Sequence, residues 1–211
     1  MNICAIKAEN ICKKFGDQEI LTNLNLEIND GDFICITGES GKGKTTLLNI
    51  MGMLDAPDSG NICIKGVNNP KLRSKVGCRL IKNELFYVFQ NYGLVEDKTV
   101  KYNLEISAKF SGLNKVSDFE KALTRVGLNP DFLKKKVFTL SGGEQQRCAL
   151  ARMYLKNFNI VLADEPTGSL DPDNRDMILE IFKNINKEGK TVIIVTHDKE
   201  VVKCAGKVVK L

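Results

Sequence analysis

The spacing of apolar and polar positions divides the chain into stretches of different period. Residues Ile3 to Lys13 and Leu24 to Ile28 partly alternate in polarity, the pattern of half-buried antiparallel strands. Asn29-Asp30-Gly31-Asp32 predicts a turn, and Phe33 to Thr37 is a short continuous apolar run of the kind buried on both faces of a parallel sheet. A glycine-rich loop follows, then helical spacing from Lys44 to Leu54, stopped by Asp55-Ala56-Pro57-Asp58-Ser59-Gly60. Ile62 to Lys65 and Leu85 to Phe89 predict further strands. Helical spacing and charge dominate residues 97–138, which predicts a helical lobe over about 97–140 broken at Gly127-Leu128-Asn129-Pro130. A long helix is expected from Ser141 to about Lys156. Asn159 to Ala163 and Lys190 to Thr196 read as buried parallel strands with a helix from about Pro172 to Lys187 between them. Strand–helix–strand alternation argues for a parallel sheet with helices on both faces. There is no internal repeat and no low-complexity tract.

Composition narrows this picture without deciding it. A chain of 211 residues is long enough for one domain with a full core. Lys and Arg number 31 against 26 Asp and Glu, too mild an excess to imply nucleic-acid binding, which shows clustered basic residues. The densest basic run, Lys134-Lys135-Lys136, reads as a solvated helix end, and no nucleic-acid partner is expected. The seven cysteines contain no C-x-x-C pair, and one histidine does not complete the usual zinc sets. They are expected to be reduced core thiols, as Cys35 is within Phe33-Ile34-Cys35-Ile36, in a reducing compartment. No apolar stretch approaches the roughly 20 residues of a bilayer-spanning helix, and Met1 to Lys7 carries no secretion signal. The expectation is a cytoplasmic chain, soluble by itself, that takes any membrane span from another chain.

The chemistry is concentrated in a few motifs. Gly38-Glu39-Ser40-Gly41-Lys42-Gly43-Lys44-Thr45 fits G-x-x-x-x-G-K-[ST] between a predicted strand and a predicted helix. Its glycines let backbone N–H groups turn inward on phosphate oxygens, Lys44 adds charge at the β- and γ-phosphates, and the Thr45 hydroxyl can ligate Mg²⁺. Lys42 either adds phosphate attraction or faces solvent. Asn159 to Glu165 is an apolar strand ending in two acids, at the strand end where parallel sheets bind ligands. Asp164 is placed to hold the metal, and Glu165, one residue on, points differently and can polarise an attacking water. Leu140-Ser141-Gly142-Gly143-Glu144-Gln145-Gln146-Arg147 contains a capping box from Ser141 to Glu144. Two glycines directly after a cap cost helix stability, roughly 1 kcal/mol each, and make sense if something approaches the backbone closely. A helix start that exposes amides and a hydroxyl is an anion site, here one for a second molecule's nucleotide. His197, in Thr196-His197-Asp198, ends the last apolar strand and is either a structural hydrogen-bonder or a contact to the γ-phosphate or attacking water. Gln90 ends the strand Leu85 to Phe89 and can offer its amide oxygen to a metal or water. Phe15 either packs in the core, its likelier role when taken alone, or stacks on a base from a turn.

Together these motifs resemble the nucleotide-binding subunit of ATP-binding-cassette (ABC) transporters over essentially the whole chain. Gly38 to Thr45 resembles the Walker A loop, Ile160 to Glu165 the Walker B strand with its catalytic glutamate, Leu140 to Arg147 the family signature, Ser169-Leu170-Asp171 the D-loop, Gln90 the Q-loop residue and His197 the H-loop histidine. The resemblance implies an α/β fold: a P-loop NTPase (RecA-like) core with a mixed, mostly parallel sheet, an antiparallel β subdomain and a helical signature lobe, forming a single domain over 1–211. It implies ATP and Mg²⁺ as cofactors. The nucleotide falls to Phe15, Gly38, Glu39, Ser40, Gly41, Lys42, Gly43, Lys44, Thr45 and Thr46, and the metal to Thr45, Gln90 and Asp164. Catalysis falls to Glu165, His197 and Gln90, and contacts across a head-to-tail dimer to Ser141, Gly142, Gly143, Glu144 and Asp171. Phe15 stands where the family more often has Tyr, and Thr45 where it more often has Ser. Ala163 to Asp171 is similar to the lipoprotein-releasing, macrolide-export and antimicrobial-peptide (bacteriocin) export group.

The implied partners are a second copy of the chain and a transmembrane permease, with the chain peripheral on the cytoplasmic face and Tyr92, Leu94 and Glu96 as permease contacts. The sequence stops soon after His197, so neither the regulatory domain of many sugar importers nor a fused permease is expected. An ABC ATPase driving a non-transporting membrane partner, and a soluble non-transport ABC ATPase, are the alternatives. Repair proteins of the family carry a long inserted coiled coil, and translation proteins usually carry two cassettes; this sequence has neither. A small GTPase would need N-K-x-D, whereas Asn186-Lys187-Glu188-Gly189 lacks the Asp.

Overall fold

The structure is a computed structural model that describes residues 4–109, 111–168 and 170–211. Two sheets and two hydrophobic cores organise it. The long strands β1 (Cys4–Phe15) and β2 (Gln18–Asn29) form an antiparallel hairpin that continues through β4 (Ser59–Ile64) to β5 (Val67–Asn68), in the order β2-β1-β4-β5. The second sheet combines β3 (Phe33–Thr37), β6 (Leu85–Val88), β7 (Ile160–Asp164), β8 (Thr191–Val195) and β9 (Lys207–Lys210) in the order β6-β7-β8-β3-β9. Its described pairings are all parallel.

The continuous apolar runs are explained by this sheet's two covered faces. Successive residues of a strand point to opposite sides. Cys35, Val161, Ala163, Val192 and Ile194 therefore join one core, while Ile34, Ile36, Ile160, Leu162 and Ile193 join the other. The first core is completed by the helical lobe, α3 (Val100–Ala108) and α4 (Val116–Arg125), and by α5 (Gly142–Ala151) and α6 (Pro172–Lys187). The second is completed by α1 (Lys44–Met51) and the antiparallel sheet.

Some elements depart from expectation. The helix from Ser141 is α-helical only to Ala151 and tightens into a 3₁₀ turn over Arg152–Leu155. The helix α2 (Lys75–Asn83) was not expected, because it is short and holds a glycine in its first turn; a Ser74 side-chain cap starts it. Neither α7 (Lys199–Cys204) nor β9 was expected either. β9 is a short edge strand with lysines at both ends, the kind of edge that resists further pairing. The cysteines are not all core thiols: Cys35 and Cys148 are buried, with burial pushing both thiols up to about 12, whereas Cys78 is exposed. None of the seven is in a disulfide. No helix among the described residues is long and apolar enough to cross a membrane.

Candidate nucleotide site

The parallel sheet delivers its motifs to one edge. The loop after β3, Gln90 after β6, Asp164 and Glu165 at the end of β7, and His197 after β8 all lie at carboxyl ends of strands, where open α/β sheets bind ligands. All but Asp164 meet around a cavity of about 780 Å³ walled by Phe15, Ile20, Gly38, Glu39, Ser40, Gly41, Gly43, Lys44, Thr45, Thr46, Gln90, Glu165, Gly168, Val195 and His197. A second cavity adjoins it, lined by Thr45, Gln90 and Asp164 together with Asn49 and Tyr87.

The loop's conformation makes the N-terminus of α1 available. Gly43 caps α1 at φ +85, a left-handed conformation that strains any residue with a Cβ. A Cβ there would also lie 2.7 Å from Ile20 Cγ2 and 2.9 Å from Leu21 Cδ2. No side chain caps α1 and its first turn holds no acid, so its amides and positive dipole end face the cavity uncompensated. Lys44 Nζ donates to Gly38 O at 2.9 Å and Glu39 O at 2.8 Å, which keeps the ammonium against the loop. Lys42 does not line the cavity; its exposed side chain sits 4.0 Å from Glu39 Oε2, which favours the solvent-facing reading.

The two acids occupy different environments. Asp164 is buried, and Thr45 Oγ1 donates to its Oδ1 at 3.1 Å. Burial pushes its carboxyl up, the Thr45 hydrogen bond opposes this, and the charge of Glu165 adds to it. A buried carboxylate, a hydroxyl and the Gln90 amide around one cavity form a hard-oxygen set that suits Mg²⁺. Glu165 adopts φ +44, uncommon for a residue with a side chain, and its N–H donates to Val195 O at 2.9 Å. That turn carries its carboxylate to β8: Thr196 Oγ1 donates to Oε2 at 3.2 Å, and His197 Nδ1 lies 2.8 Å from Oε1. Thr196 is a site residue that sequence reasoning passed over. Its signal is positional, a hydroxyl at the end of the strand whose Val195 pairs with Asp164.

Phe15 is not a core residue, which corrects the likelier of its two readings. It is 55 % exposed, because the hairpin register pairs Phe15 with Gln18 and places its ring at the hairpin tip beside the phosphate loop.

The capping box at Ser141 is present as expected. Glu144 N donates to Ser141 Oγ at 3.3 Å, and Ser141 N donates to Glu144 Oε2 at 2.8 Å. These residues lie away from the cavity, and Ser141 and Gly142 are exposed. Gly143 is buried, and a Cβ on it would meet Asn174 Oδ1 at 2.2 Å. This second glycine therefore has a packing reason inside the chain. Asp171 caps α6, with its carboxylate held by Asn174. Ser169 lies outside the described residues.

Residues 21–168 match the family described as ABC transporter. The chain belongs to the ABC transporter family. It is 38% identical over 206 residues to the macrolide export ATP-binding/permease protein MacB of Campylobacter jejuni subsp. jejuni, covering 96% of this chain and 32% of that protein. It is 36% identical over 213 residues to MacB of Acinetobacter baylyi, covering 98% and 32%. The chain thus spans about a third of the length of the curated relatives it matches. Among solved structures, it superposes with a TM-score of 0.88 and 34% identity on a dimeric post-hydrolysis state of the ATP-binding cassette MJ0796 bound to ADP and Pi, covering 98% of this chain and 94% of that one. A second dimeric structure of MJ0796, a bacterial ABC transporter cassette, gives 0.88 at 36% identity. The expected kinship with the macrolide-export group is borne out, as are the P-loop α/β fold and membership of the ABC ATPase family.

Proposed function

We propose that this ABC cassette binds Mg-ATP on the α1 loop of one copy and the α5 N-terminus of a second copy, and that hydrolysis drives a membrane permease for export of a peptide, lipoprotein or drug. The observation that carries the reading is the separation of two anion-binding helix starts. The first cavity is built by the α1 start and strand ends, whereas Ser141 and Gly142 are exposed and do not line it, so in this reading they would reach a nucleotide held by a second copy. Phe15 stacks on the base, the Gly38 to Thr46 loop and Lys44 hold the phosphates, and Thr45, Asp164 and Gln90 hold the metal. A magnesium ion held by these residues would supply positive charge to offset that of the phosphates. Glu165, fixed by Thr196 and His197, accepts the proton of the attacking water.

The permease surface is better placed in a groove of about 930 Å³ than on the Tyr92 to Glu96 segment. Leu54, Leu72, Ile81, Phe89 and Ile106 line this groove between α2, α3 and β6. Leu94 packs against the first core, and Arg152 holds the Tyr92 and Gly93 carbonyls.

The test is ATP-trapped dimerisation. Glu165→Gln should run as a dimer with ATP on size exclusion, and adding Ser141→Arg should leave a monomer that still binds ATP. Full-rate hydrolysis by Ser141→Arg overturns the trans site. With its permease co-expressed, the chain should sediment with membranes, and Leu72→Glu with Ile106→Glu should release it while ATP binding persists. A stable complex with DNA or ribosomes instead would place it among the soluble ABC proteins.

A further inference from the structure

The contact between the signature helix and α6 has more structure than packing requires. Asn174 lies in the first turn of α6, where its backbone N–H donates to the Asp171 cap at 3.0 Å. Its side chain bridges two oppositely charged groups. Nδ2 donates to Asp171 Oδ2 at 2.7 Å, and Oδ1 accepts from Arg147 Nη1 at 2.9 Å. The amide's orientation follows from these neighbours: the donor end must face the carboxylate and the acceptor end the guanidinium. Arg147 Nε is buried without a hydrogen-bond partner, so Nη1, which also meets Met177 Sδ at 2.8 Å, anchors the guanidinium on this side. Helix α5 comes close enough for this because residue 143 has no side chain.

We propose that Asn174 is a positioning residue that ties the first turns of the signature helix to the Asp171 turn, so that the two segments presented to a partner's nucleotide move as one body. The inference rests on the trans-site reading above. A neutral amide suits this place because it satisfies both charges at once. An acid would satisfy Arg147 but repel Asp171, and an alanine would release both.

The decisive variants are Asn174→Asp, which keeps the side-chain volume, and the swap Asp171→Asn with Asn174→Asp. The swap reverses donor and acceptor while keeping an equally good helix cap. In Asn174→Asp, nucleotide affinity of the monomer should stay within about twofold, while ATP-driven dimerisation in the Glu165→Gln background and kcat each fall about tenfold. The swap should recover most of both losses. Wild-type dimerisation in Asn174→Asp overturns the proposal, and so does a swap that restores thermal stability but dimerises no better than Asn174→Asp when Asp171→Asn alone still dimerises. The trans-site reading fails separately, if Glu165→Gln with native Asn174 forms no ATP-trapped dimer. The tie itself is then still read in the monomer by hydrogen exchange. In Asn174→Ala, exchange should rise together at Gly142 to Glu144 and at Leu170 to Asp171, and a rise at one segment alone refutes the tie.

Discussion

The N-termini of α1 and α5 are both glycine-flanked helix starts, yet they are finished in opposite ways. At α1 nothing compensates the exposed amides: the cap is a glycine, the first turn holds no acid, and Lys44 adds positive charge. At α5 a capping box closes two donors on the helix's own side chains, and Glu144 puts negative charge on the first turn. An uncompensated start is a high-field site that needs a ligand's charge, while a capped start is stable alone and contributes to a ligand held elsewhere. The glycines differ in the same sense. Gly43 serves a left-handed backbone, and Gly143 serves contact with α6. Similar local sequences are thus put to different uses.

The largest expected effect tests whether chemistry belongs to the α1 side. Glu165→Gln should lower ATP turnover by roughly 10²-fold or more, the scale for losing a general base, while fluorescent-nucleotide titration shows binding retained. Unchanged turnover would place the base elsewhere. Next, Lys44→Ala removes charge-assisted bonds to phosphate, about 1.5–3 kcal/mol, so ATP affinity measured by calorimetry should fall about tenfold to hundredfold. Ser141→Ala should leave the monomer's ATP affinity alone; an equal loss there would erase the contrast between the two termini.

A third effect concerns the packed glycine. Gly143→Ala places a methyl on Asn174 and should destabilise by about 1–3 kcal/mol, as overpacking does, with Asn174→Ala in the same chain relieving most of it in a denaturant titration. If the second change gives no relief, the glycine answers to something outside the chain.

The smallest effect runs the other way. Asp164 holds a carboxyl that burial pushes above its ordinary 3.8. The native state therefore binds its proton more readily than the unfolded chain does. The destabilisation is complete above the folded value, shrinks as pH falls through it, and is gone below the unfolded value. Asp164→Asn should then stabilise the ligand-free protein at neutral pH by about 1 kcal/mol, raising Tm by about 2–4 °C, and this advantage should vanish in acid. An advantage that persists unchanged to low pH would mean that the charge of Asp164 is not the cause.

Much of the fold and the site is local in origin and so is legible in the sequence. The phosphate loop, the capping box at Ser141, the buried runs of β3, β7 and β8, and the paired acids depend on residue type at fixed spacing, which short-range sterics and hydrogen bonding convert directly into conformation. Carboxyl ends of parallel strands then locate the site on one edge. What the sequence leaves open depends on contacts between residues far apart in the chain. The exposure of Phe15 is set by the hairpin register, the hold on Glu165 by strand pairing of Asp164 with Val195, and the groove by α2, a helix too short to stand out in the sequence. The need for Gly143 comes from Asn174 in the next helix. Local pattern determines which elements form and which chemistry they carry; tertiary packing alone determines which side chains meet, because those distances arise only when separate elements close on a shared core.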